Sequence, residues 1–286
     1  MSDSHRSAIA AFQELHAAGS FVLPNPWDAG TAIYLQHLGF KALATTSAGY
    51  AFSCGKSDGA VSRDEMLGHI RKVVAATPLP VNADFLAGFA DGPEEVAANI
   101  ALCIATGVAG LSIEDSTATD PSGLYHEKLA VARLKAARQA VDESGTDVVL
   151  TGRCEAFLVG HPEPLRTARA RLAAYADAGA DCLYAPGVSD PADIAALVKT
   201  VAPKPLNVLV SGFNSHLSQP ALAQLGVRRI SVGSGLALAA WGAFARAARD
   251  IALNGSFESL ARGAPFAELN QLFDSPHKNQ NETNRN

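Results

Sequence analysis

Acidic residues and one arginine end short apolar runs of the sequence, at positions where they could act together. Asp84 ends PVNAD, Glu114 ends GLSIE and Arg153 ends VVLTGR. Asp58 lies in the glycine-bearing stretch AGYAFSCGKSDG, and Asn207 stands in PLNVLV. Carboxylate oxygens and water are the ligands that Mg²⁺ prefers, and an arginine can hold a carboxylate through two parallel hydrogen bonds. These residue types predict a metal-assisted site for a small carboxylic acid.

Each of these residues, taken singly, also has a plain structural interpretation. Acidic residues that follow strands often cap the next helix or pair with an arginine. Asp115, directly after Glu114, is open to the same interpretation. The prediction of a site therefore depends on whether the fold brings these side chains to one place.

The elements that would position them recur along the chain. Four alanine-rich stretches end at a glycine and run into a short apolar segment: HLGFKALATTS, ATGVAGLSIED, DAGADCLYAPG and QLGVRRISVGS. A glycine in this position is typical of a helix C-terminus. Four further apolar runs lie between them, which makes eight predicted strands: Phe21–Asn25, Ala42–Ser47, Val81–Asp84, Gly110–Glu114, Val148–Arg153, Cys182–Ala185, Leu206–Val210 and Arg229–Val232.

Eight strand–helix units predict an α/β fold, the (β/α)8 TIM barrel. The continuous apolar character of the runs favours parallel strands that are covered on both faces. A doubly wound open sheet is the alternative, but the first turn, NPWDAGTA, lacks its glycine-rich phosphate-binding pattern. In such barrels the active site lies at the C-terminal ends of the strands, where the polar residues above are found.

Composition excludes several other classes of function. The chain has 286 residues, 48% of them hydrophobic, and a net charge of -5 without a basic run, so we expect no nucleic-acid partner and no membrane association. Its four cysteines are widely spaced, which argues against a zinc site or a disulfide scaffold and favours the reducing cytoplasm. No lysine falls inside a predicted strand, as a Schiff-base aldolase would need, and GxSxG is absent from any strand-to-helix turn.

The predicted domain organisation is one barrel over residues 1–255, a helical appendage over 256–274 and a disordered tail over 275–286. The appendage, SFESLARGAPFAELNQLFD, carries large apolar residues for which a closed barrel leaves no room. We therefore expect it to need a partner surface.

Eight motifs, in order along nearly the whole chain, resemble the isocitrate lyase/phosphoenolpyruvate mutase superfamily: LPNPWDAGTA, TTSAGYAFSCGKSDG with RDEML, PVNADFLAGFAD, GLSIEDS, LTGRCEAF, AYADAGADCLYAPG, PLNVLV and LGVRRISVGSGL. Members of this superfamily are Mg²⁺-dependent barrels that form or break bonds next to a 2-oxo or 2-hydroxy acid. The resemblance implies Mg²⁺ or Mn²⁺ as cofactor. Asp84 corresponds to the carboxylate that binds the metal directly, and Asp58 and Glu114 correspond to those that hold metal-bound waters.

The resemblance also implies the residues that bind substrate. Thr46, Ser47 and Ala48 fall where the loop after the second strand donates hydrogen bonds to the substrate carboxylate. Arg153 matches an arginine that binds the same ligand, and Asn207 matches a substrate-binding asparagine. Catalytic roles are thereby implied for Arg153, Asp58 and Glu114, with the metal and Arg153 stabilising the oxygen of an enolate.

Three departures from the superfamily pattern narrow the expected reaction. Leu86 stands where a second acidic residue usually follows the metal-binding aspartate. The loop STATDPSGLYHEK lacks the KKCGH motif, whose cysteine is the acid/base of the isocitrate and methylisocitrate lyases, and Pro186 replaces a glutamate near the sixth strand. These losses favour a small 2-oxo acid, and the prediction is a carbon–carbon lyase that resembles an oxaloacetate decarboxylase.

Two alternatives stay open at this point. One is phosphonopyruvate chemistry, by a mutase or a hydrolase. The other is a catalytically degraded barrel that binds a 2-oxo acid without converting it, for which Leu86 is the main support, because loss of an outer-sphere partner weakens metal binding.

Superfamily members exchange C-terminal helices between subunits. We therefore expect a homodimer or homotetramer in which Ser256–Asp274 packs on another subunit and buries Phe266, Leu269 and Phe273. The loop Ser116–Tyr125 is expected to act as a lid or to be an ordinary surface loop.

Overall fold

The computed structural model describes residues 2–274 and contains one sheet of eight parallel strands. Their order is β1-β8-β7-β6-β5-β4-β3-β2. A backbone hydrogen bond from Ala44 N–H to the Pro24 carbonyl, 3.0 Å long, links the two edge strands. The strands are β1 Phe21–Leu23, β2 Leu43–Ala44, β3 Val81–Asp84, β4 Gly110–Glu114, β5 Val149–Arg153, β6 Cys182–Tyr184, β7 Leu206–Leu209 and β8 Arg229–Ser231. The predicted (β/α)8 barrel is confirmed, and each strand lies within its predicted range.

Helices connect the strands and cover the outside of the barrel. They are α1 Asp3–Ala17, α2 Ala29–His37, α3 Ser47–Ser53, α4 Arg63–Ala75, α5 Pro93–Ile104, α6 Glu127–Glu143, α7 Pro164–Asp177, α8 Pro191–Val201, α9 Gln219–Gln224, α10 Gly235–Asn254 and α11 Phe266–Asp274. Among residues 2–274, no helix is long and apolar enough to cross a membrane.

The glycines predicted to end helices do so with left-handed backbone. Gly179 has φ 104° and Gly226 has φ 88°. A Cβ at Gly226 would lie 2.9 Å from Val198 Cγ1, so the chain there also passes close to a neighbouring helix. Glycine precedes these strands because the residue between the helix and the strand adopts a left-handed conformation, which glycine tolerates best.

The inside of the barrel is more polar than the apolar runs predicted. Residues that face the helices are apolar, as Leu111, Leu150 and Val208 show. The alternate positions carry buried polar side chains: Asn82, Ser112, Thr151, Asn207 and Arg229. The short strands have only one to three inward positions each, so their sequences look apolar although the interior is not.

Helix α1 supplies apolar packing at the opposite end of the strands from the predicted site. Its Phe12 is fully buried. A Cβ on Gly110, the first residue of β4, would lie 2.5 Å from Phe12 Cε1. Gly110 is thus required for the close approach of this ring.

The described chain divides into two compact units, with the boundary after Ala237. The first unit contains the eight strands. The second begins at Leu238, within α10, and continues through a short 3-10 turn, Glu258–Arg262, to α11. The boundary expected at residue 255 therefore lies inside this second unit, and the predicted tail 275–286 lies outside the described residues.

Candidate active site

A cavity of about 170 Å³ opens at the C-terminal ends of the strands. Polar residues from most of the strands, or from the loops that follow them, line it. Seven of the eight predicted site residues are among them: Thr46, Ser47, Ala48, Asp58, Asp84, Arg153 and Asn207. These seven residues therefore lie in one place, as the prediction of a site requires.

Asp84, at the end of β3, is held in place by the loop after β2. The Ser47 N–H donates to Asp84 Oδ2 over 2.9 Å. The Asp84 N–H donates to Thr45 Oγ1, also over 2.9 Å. Thr46 caps helix α3 through its own hydroxyl, which accepts from Gly49 N–H. The predicted carboxylate-binding loop thus also fixes the predicted metal ligand.

Arg153, at the end of β5, lies among three carboxylates. Its Nη1 is 3.3 Å from Asp84 Oδ1 and 3.2 Å from Glu114 Oε2. Its Nε donates to Glu155, and its guanidinium lies over the Tyr184 ring, 5.2 Å from the centroid. These contacts hold the planar group at the wall of the cavity.

Glu114 is the predicted site residue that does not line the cavity. It lies behind Arg153, beside a void of about 10 Å³, which is room for one water molecule. Ser116 donates to Glu114 Oε1 over 2.6 Å, whereas the buried Oε2 has the ion pair with Arg153 Nη1 but no hydrogen bond of good geometry. Glu114 therefore acts on the cavity through Arg153, and one of its oxygens lacks a hydrogen bond.

Carboxylates outnumber positive charges around Arg153. Burial raises the pKa of Asp58, and the neighbouring Asp84 adds to the rise. Burial also raises the pKa of Glu114, against the lowering effect of Arg153. For Glu155, burial with a contribution from Glu114 raises the pKa to about 8. A further positive charge would relieve this excess.

The donor set suits a hard divalent cation bound partly through water. Within residues 2–274, no three His, Cys, Asp or Glu side chains lie close enough to form a complete metal site by themselves. The carboxylates of Asp84 and Asp58 on the cavity wall match what Mg²⁺ takes, since the ion keeps several waters when one or two carboxylates bind it. The residues present therefore fit the implied metal.

Asp115 has a structural role, because it pairs with an arginine instead of lining the cavity. Its carboxylate accepts from Arg171 Nη1 at 2.8 Å and from the Tyr175 hydroxyl at 2.6 Å. It also accepts from the Glu155 N–H at 2.8 Å. Asp115 thereby fixes the backbone that carries Glu155, the partner of Arg153.

The opposite wall of the cavity is formed by β7 and β8. Asn207 Nδ2 donates to Ser231 Oγ over 2.9 Å, and Asn207 Oδ1 accepts from Arg229 Nε over 2.9 Å. Tyr184 and Leu209 complete this wall. Asn207 is thus oriented by its neighbours, as a substrate-binding amide should be.

Sequence reasoning missed Glu155, Tyr184 and Arg229. Glu155 stands two residues after Arg153, so the same motif could have revealed it. Tyr184 and Arg229 alternate with apolar residues in LYAPG and RRISVG. Their inward direction follows from strand alternation, once the strand register is known.

The predicted lid is anchored at both ends. Ser116 and Leu124 form an antiparallel bridge, and Thr117 N–H donates to the Gly123 carbonyl over 2.9 Å. The tip around Asp120 is exposed. The loop histidines His126 and His216 are exposed and do not line the cavity. Closure of the loop stays a prediction.

Comparisons with known proteins agree with this geometry. The sequence model of the phosphoenolpyruvate phosphomutase family matches residues 12–252. A crystal structure from Burkholderia cenocepacia J2315, provisionally a lyase/mutase, is 46% identical with a TM-score of 0.93 and covers 96% of this chain and 99% of its own. A second from the same organism, provisionally a phosphonomutase, is 36% identical with a TM-score of 0.78 and covers 86% and 99%. The 2-methylisocitrate lyase of Salmonella typhimurium is 30% identical over 65% of this chain and 62% of its own.

Proposed function

The chain belongs to the phosphoenolpyruvate mutase family, within the isocitrate lyase/PEP mutase superfamily, and from this premise we propose a Mg²⁺-dependent carbon–carbon lyase that acts on a small 2-oxo or 2-hydroxy acid through an enolate. Oxaloacetate decarboxylation is the specific reaction that we propose. The lyases and mutases of the superfamily act on small carboxylic acids, and the cavity of about 170 Å³ suits a ligand of that size.

The position of Arg153 is the observation that supports this proposal most directly. Its guanidinium is on the cavity wall, held by three carboxylates and an aromatic ring. A donor fixed before the reaction begins stabilises charge that develops on a substrate oxygen at no cost in reorganisation. Decarboxylation needs this kind of stabilisation at the 2-oxo group.

In the proposed reaction the C3–C4 bond of oxaloacetate breaks and carbon dioxide leaves. The electron pair moves to the C2 oxygen, where Arg153 stabilises the enolate, and C3 then takes a proton from water to give pyruvate. The Thr46–Ala48 loop and Asn207 orient the substrate. Asp84 would hold Mg²⁺ with Asp58 and Glu114 acting through water, and the bound ion would supply Lewis-acid polarisation of the 2-oxo group.

Pyruvate formation from oxaloacetate in the presence of Mg²⁺ tests the proposal. We expect the protein to exceed the rate of free Mg²⁺, and Asp84→Asn, which keeps the shape of the side chain, to lower kcat at least 100-fold, as loss of an important electrostatic group does. Glu95→Gln, an exposed acid on α5, is the matched control and should leave the rate unchanged. A wild-type rate equal to that of free metal, or an unaffected Asp84→Asn, would refute the proposal.

Phosphonopyruvate chemistry is the second candidate, because the family match and the phosphonomutase-like structure favour it. The products separate the two candidates: inorganic phosphate released from phosphonopyruvate indicates a hydrolase, and phosphoenolpyruvate indicates a mutase. Binding of the acid without any product would instead indicate the degraded barrel.

We further propose that the protein acts in the cytoplasm as a homo-oligomer. Its four cysteines are unpaired, and three of them are buried. The second unit exposes large apolar side chains, including Leu253 and Phe266, each 80% exposed. Such residues support contact with another copy of the chain.

A further inference from the structure

Arg133, on helix α6, is 1% exposed and is one of the largest fully buried side chains among residues 2–274. An arginine is charged at any physiological pH, and all of its side-chain polar groups are donors. Its Nη1 donates to the carbonyl oxygens of Ala90 and Asp91, and its Nη2 donates to that of Ala87. The buried guanidinium is therefore satisfied by backbone oxygens of a single loop.

This loop, residues 85–92, connects β3 to α5 and is called the β3 loop below. Leu86 has φ 50° and Phe89 has φ 58°, in the left-handed region that large side chains rarely adopt. Such a backbone persists where the surrounding contacts fix it. Asn99 Nδ2, on α5, donates to the Gly88 carbonyl over 2.8 Å. Arg133 supplies three further contacts, so its side chain is central to the shape of this loop.

The same guanidinium also contacts the end of the predicted lid. It lies over the ring of Tyr125, the last residue of the loop Ser116–Tyr125, 4.1 Å from the ring centroid. The Tyr125 hydroxyl donates to the Asp91 carboxylate, in the β3 loop, and also has a hydrogen bond with Thr117, inside the lid. Arg133 thus lies between two loops that are in direct contact with each other.

Both of these loops adjoin carboxylates that are predicted to bind the metal. The β3 loop begins directly after Asp84, and the Leu86 carbonyl accepts from the Glu114 N–H over 3.0 Å. Arg133 also lines the small void beside Glu114 and Arg153. It does not line the cavity itself. Any effect of Arg133 on a ligand in the cavity must therefore pass through neighbouring residues.

We propose that Arg133 is a positioning residue. It holds the β3 loop and the end of the lid as one unit, and in this way it keeps Asp84 and Glu114 in place for the metal. The consequence for the metal rests on the proposed function, whereas the consequence for the two loops does not. A lysine is a poor replacement, because its compact ammonium lacks the planar fork that reaches several carbonyls while lying over a ring.

Hydrogen exchange followed by mass spectrometry on the metal-free protein tests the effect on the loops. In Arg133→Lys, the amides of residues 85–92 and 116–125 should exchange about tenfold faster than in the wild type, because local opening becomes easier. Those of β7, across the barrel, should keep their rates. Unchanged exchange in the two segments, or an equal acceleration throughout the barrel, would overturn the proposal.

Arg138→Lys is the matched control. It is the same substitution on the same helix, at an arginine that pairs with Asp142 and Asp181 instead of with the loops. This variant should leave the exchange of residues 85–92 and 116–125 at the wild-type rate. Equal acceleration in Arg133→Lys and Arg138→Lys would show that the contacts of Arg133 with the loops are not the cause.

Titration calorimetry with MgCl₂ tests the effect on the metal without any turnover. Arg133→Lys should bind Mg²⁺ about 10–100-fold more weakly than the wild type, as loss of a group that orients metal ligands does, and Arg138→Lys should bind it equally well. Faster loop exchange with unchanged Mg²⁺ affinity would overturn the role of Arg133 toward the metal. A wild type that binds no Mg²⁺ would refute the metal of the proposed function, and the exchange rates would still decide whether Arg133 holds the loops.

A pair of variants at Asp91 tests the contact between the two loops, and it applies even if Arg133→Lys does not fold. Asp91→Ala removes the acceptor of the Tyr125 hydroxyl but keeps the backbone carbonyl that Arg133 binds. We expect faster exchange in residues 116–125 alone. Asp91→Asn keeps an acceptor oxygen and should exchange like the wild type. Equal rates in the two variants would show that the β3 loop does not hold the lid, and would overturn the proposal.

Discussion

Leu86 occupies a backbone position that would suit an aspartate. Its φ is 50°, in the left-handed region where a leucine is uncommon and aspartate or asparagine is better tolerated. Its carbonyl accepts from the Glu114 N–H over 3.0 Å, which ties this loop to the end of β4. The superfamily places an acidic residue here, so this chain keeps the backbone shape without the carboxylate.

Leu86→Asp should therefore raise the affinity for Mg²⁺ by about 10–100-fold, the usual effect of an outer-sphere carboxylate. Titration calorimetry with MgCl₂ measures this directly. Leu86→Asn is the matched control, because it has the same shape and backbone preference without the charge. Equal Mg²⁺ affinities in the two variants would show that no metal is bound close to this loop.

Residue types at strand ends were enough to predict most of the site. Asp84 and Arg153 end runs that are recognisable as strands, and parallel strands bring their C-terminal ends together. Arg229 was not predicted, because its contacts are with a separate strand, β7, and with α1. Arg229 meets His16, which is 213 positions away in sequence, and no local pattern encodes such a contact.

At the scale of elements, the strands were predictable because each apolar run follows a glycine or another residue that ends the preceding helix or turn. The C-cap glycines mark where each helix stops, and the apolar segment that follows must be buried. The second strand was predicted as Ala42–Ser47 but is only Leu43–Ala44. Thr46 caps a helix that begins at Ser47, and a residue with a cap hydrogen bond no longer continues a strand.

The contact between α1 and β4 gives a prediction about stability. Gly110→Ala would place a methyl group 2.5 Å from Phe12 Cε1 and 2.8 Å from Asn82 Oδ1. Overpacking of this kind should lower the free energy of unfolding by about 1–3 kcal/mol, measured by urea denaturation.

Gly68→Ala is the control for this substitution. Gly68 lies within α4, and a Cβ there meets nothing within 4 Å. Since alanine is the better helix former, we expect unchanged stability or a gain of up to about 1 kcal/mol. Equal losses of stability in the two variants would show that the close approach of Phe12 is not the reason why β4 needs a glycine at position 110.

At the scale of the whole molecule, the two units differ in how they bury apolar residues. The first has an extensive core in which residues such as Leu111, Leu150 and Leu183 are fully buried. Helix α11, at the end of the second unit, has no buried residue. A segment whose apolar side chains remain exposed in one copy gains free energy only by covering them elsewhere.

We therefore expect the purified chain to be a dimer or tetramer, and the variant Leu253→Asp with Phe266→Asp to be a monomer of 29.7 kDa. Each of these two side chains would contribute about 1.5–3 kcal/mol if fully buried against another copy, and a buried aspartate would add a desolvation cost. Light scattering coupled to gel filtration gives the mass. Leu38→Asp, which places the same charge at an exposed leucine of the first unit, should stay oligomeric. A monomeric wild type, or a double variant with unchanged mass, would show that Ser256–Asp274 does not pack on a second subunit.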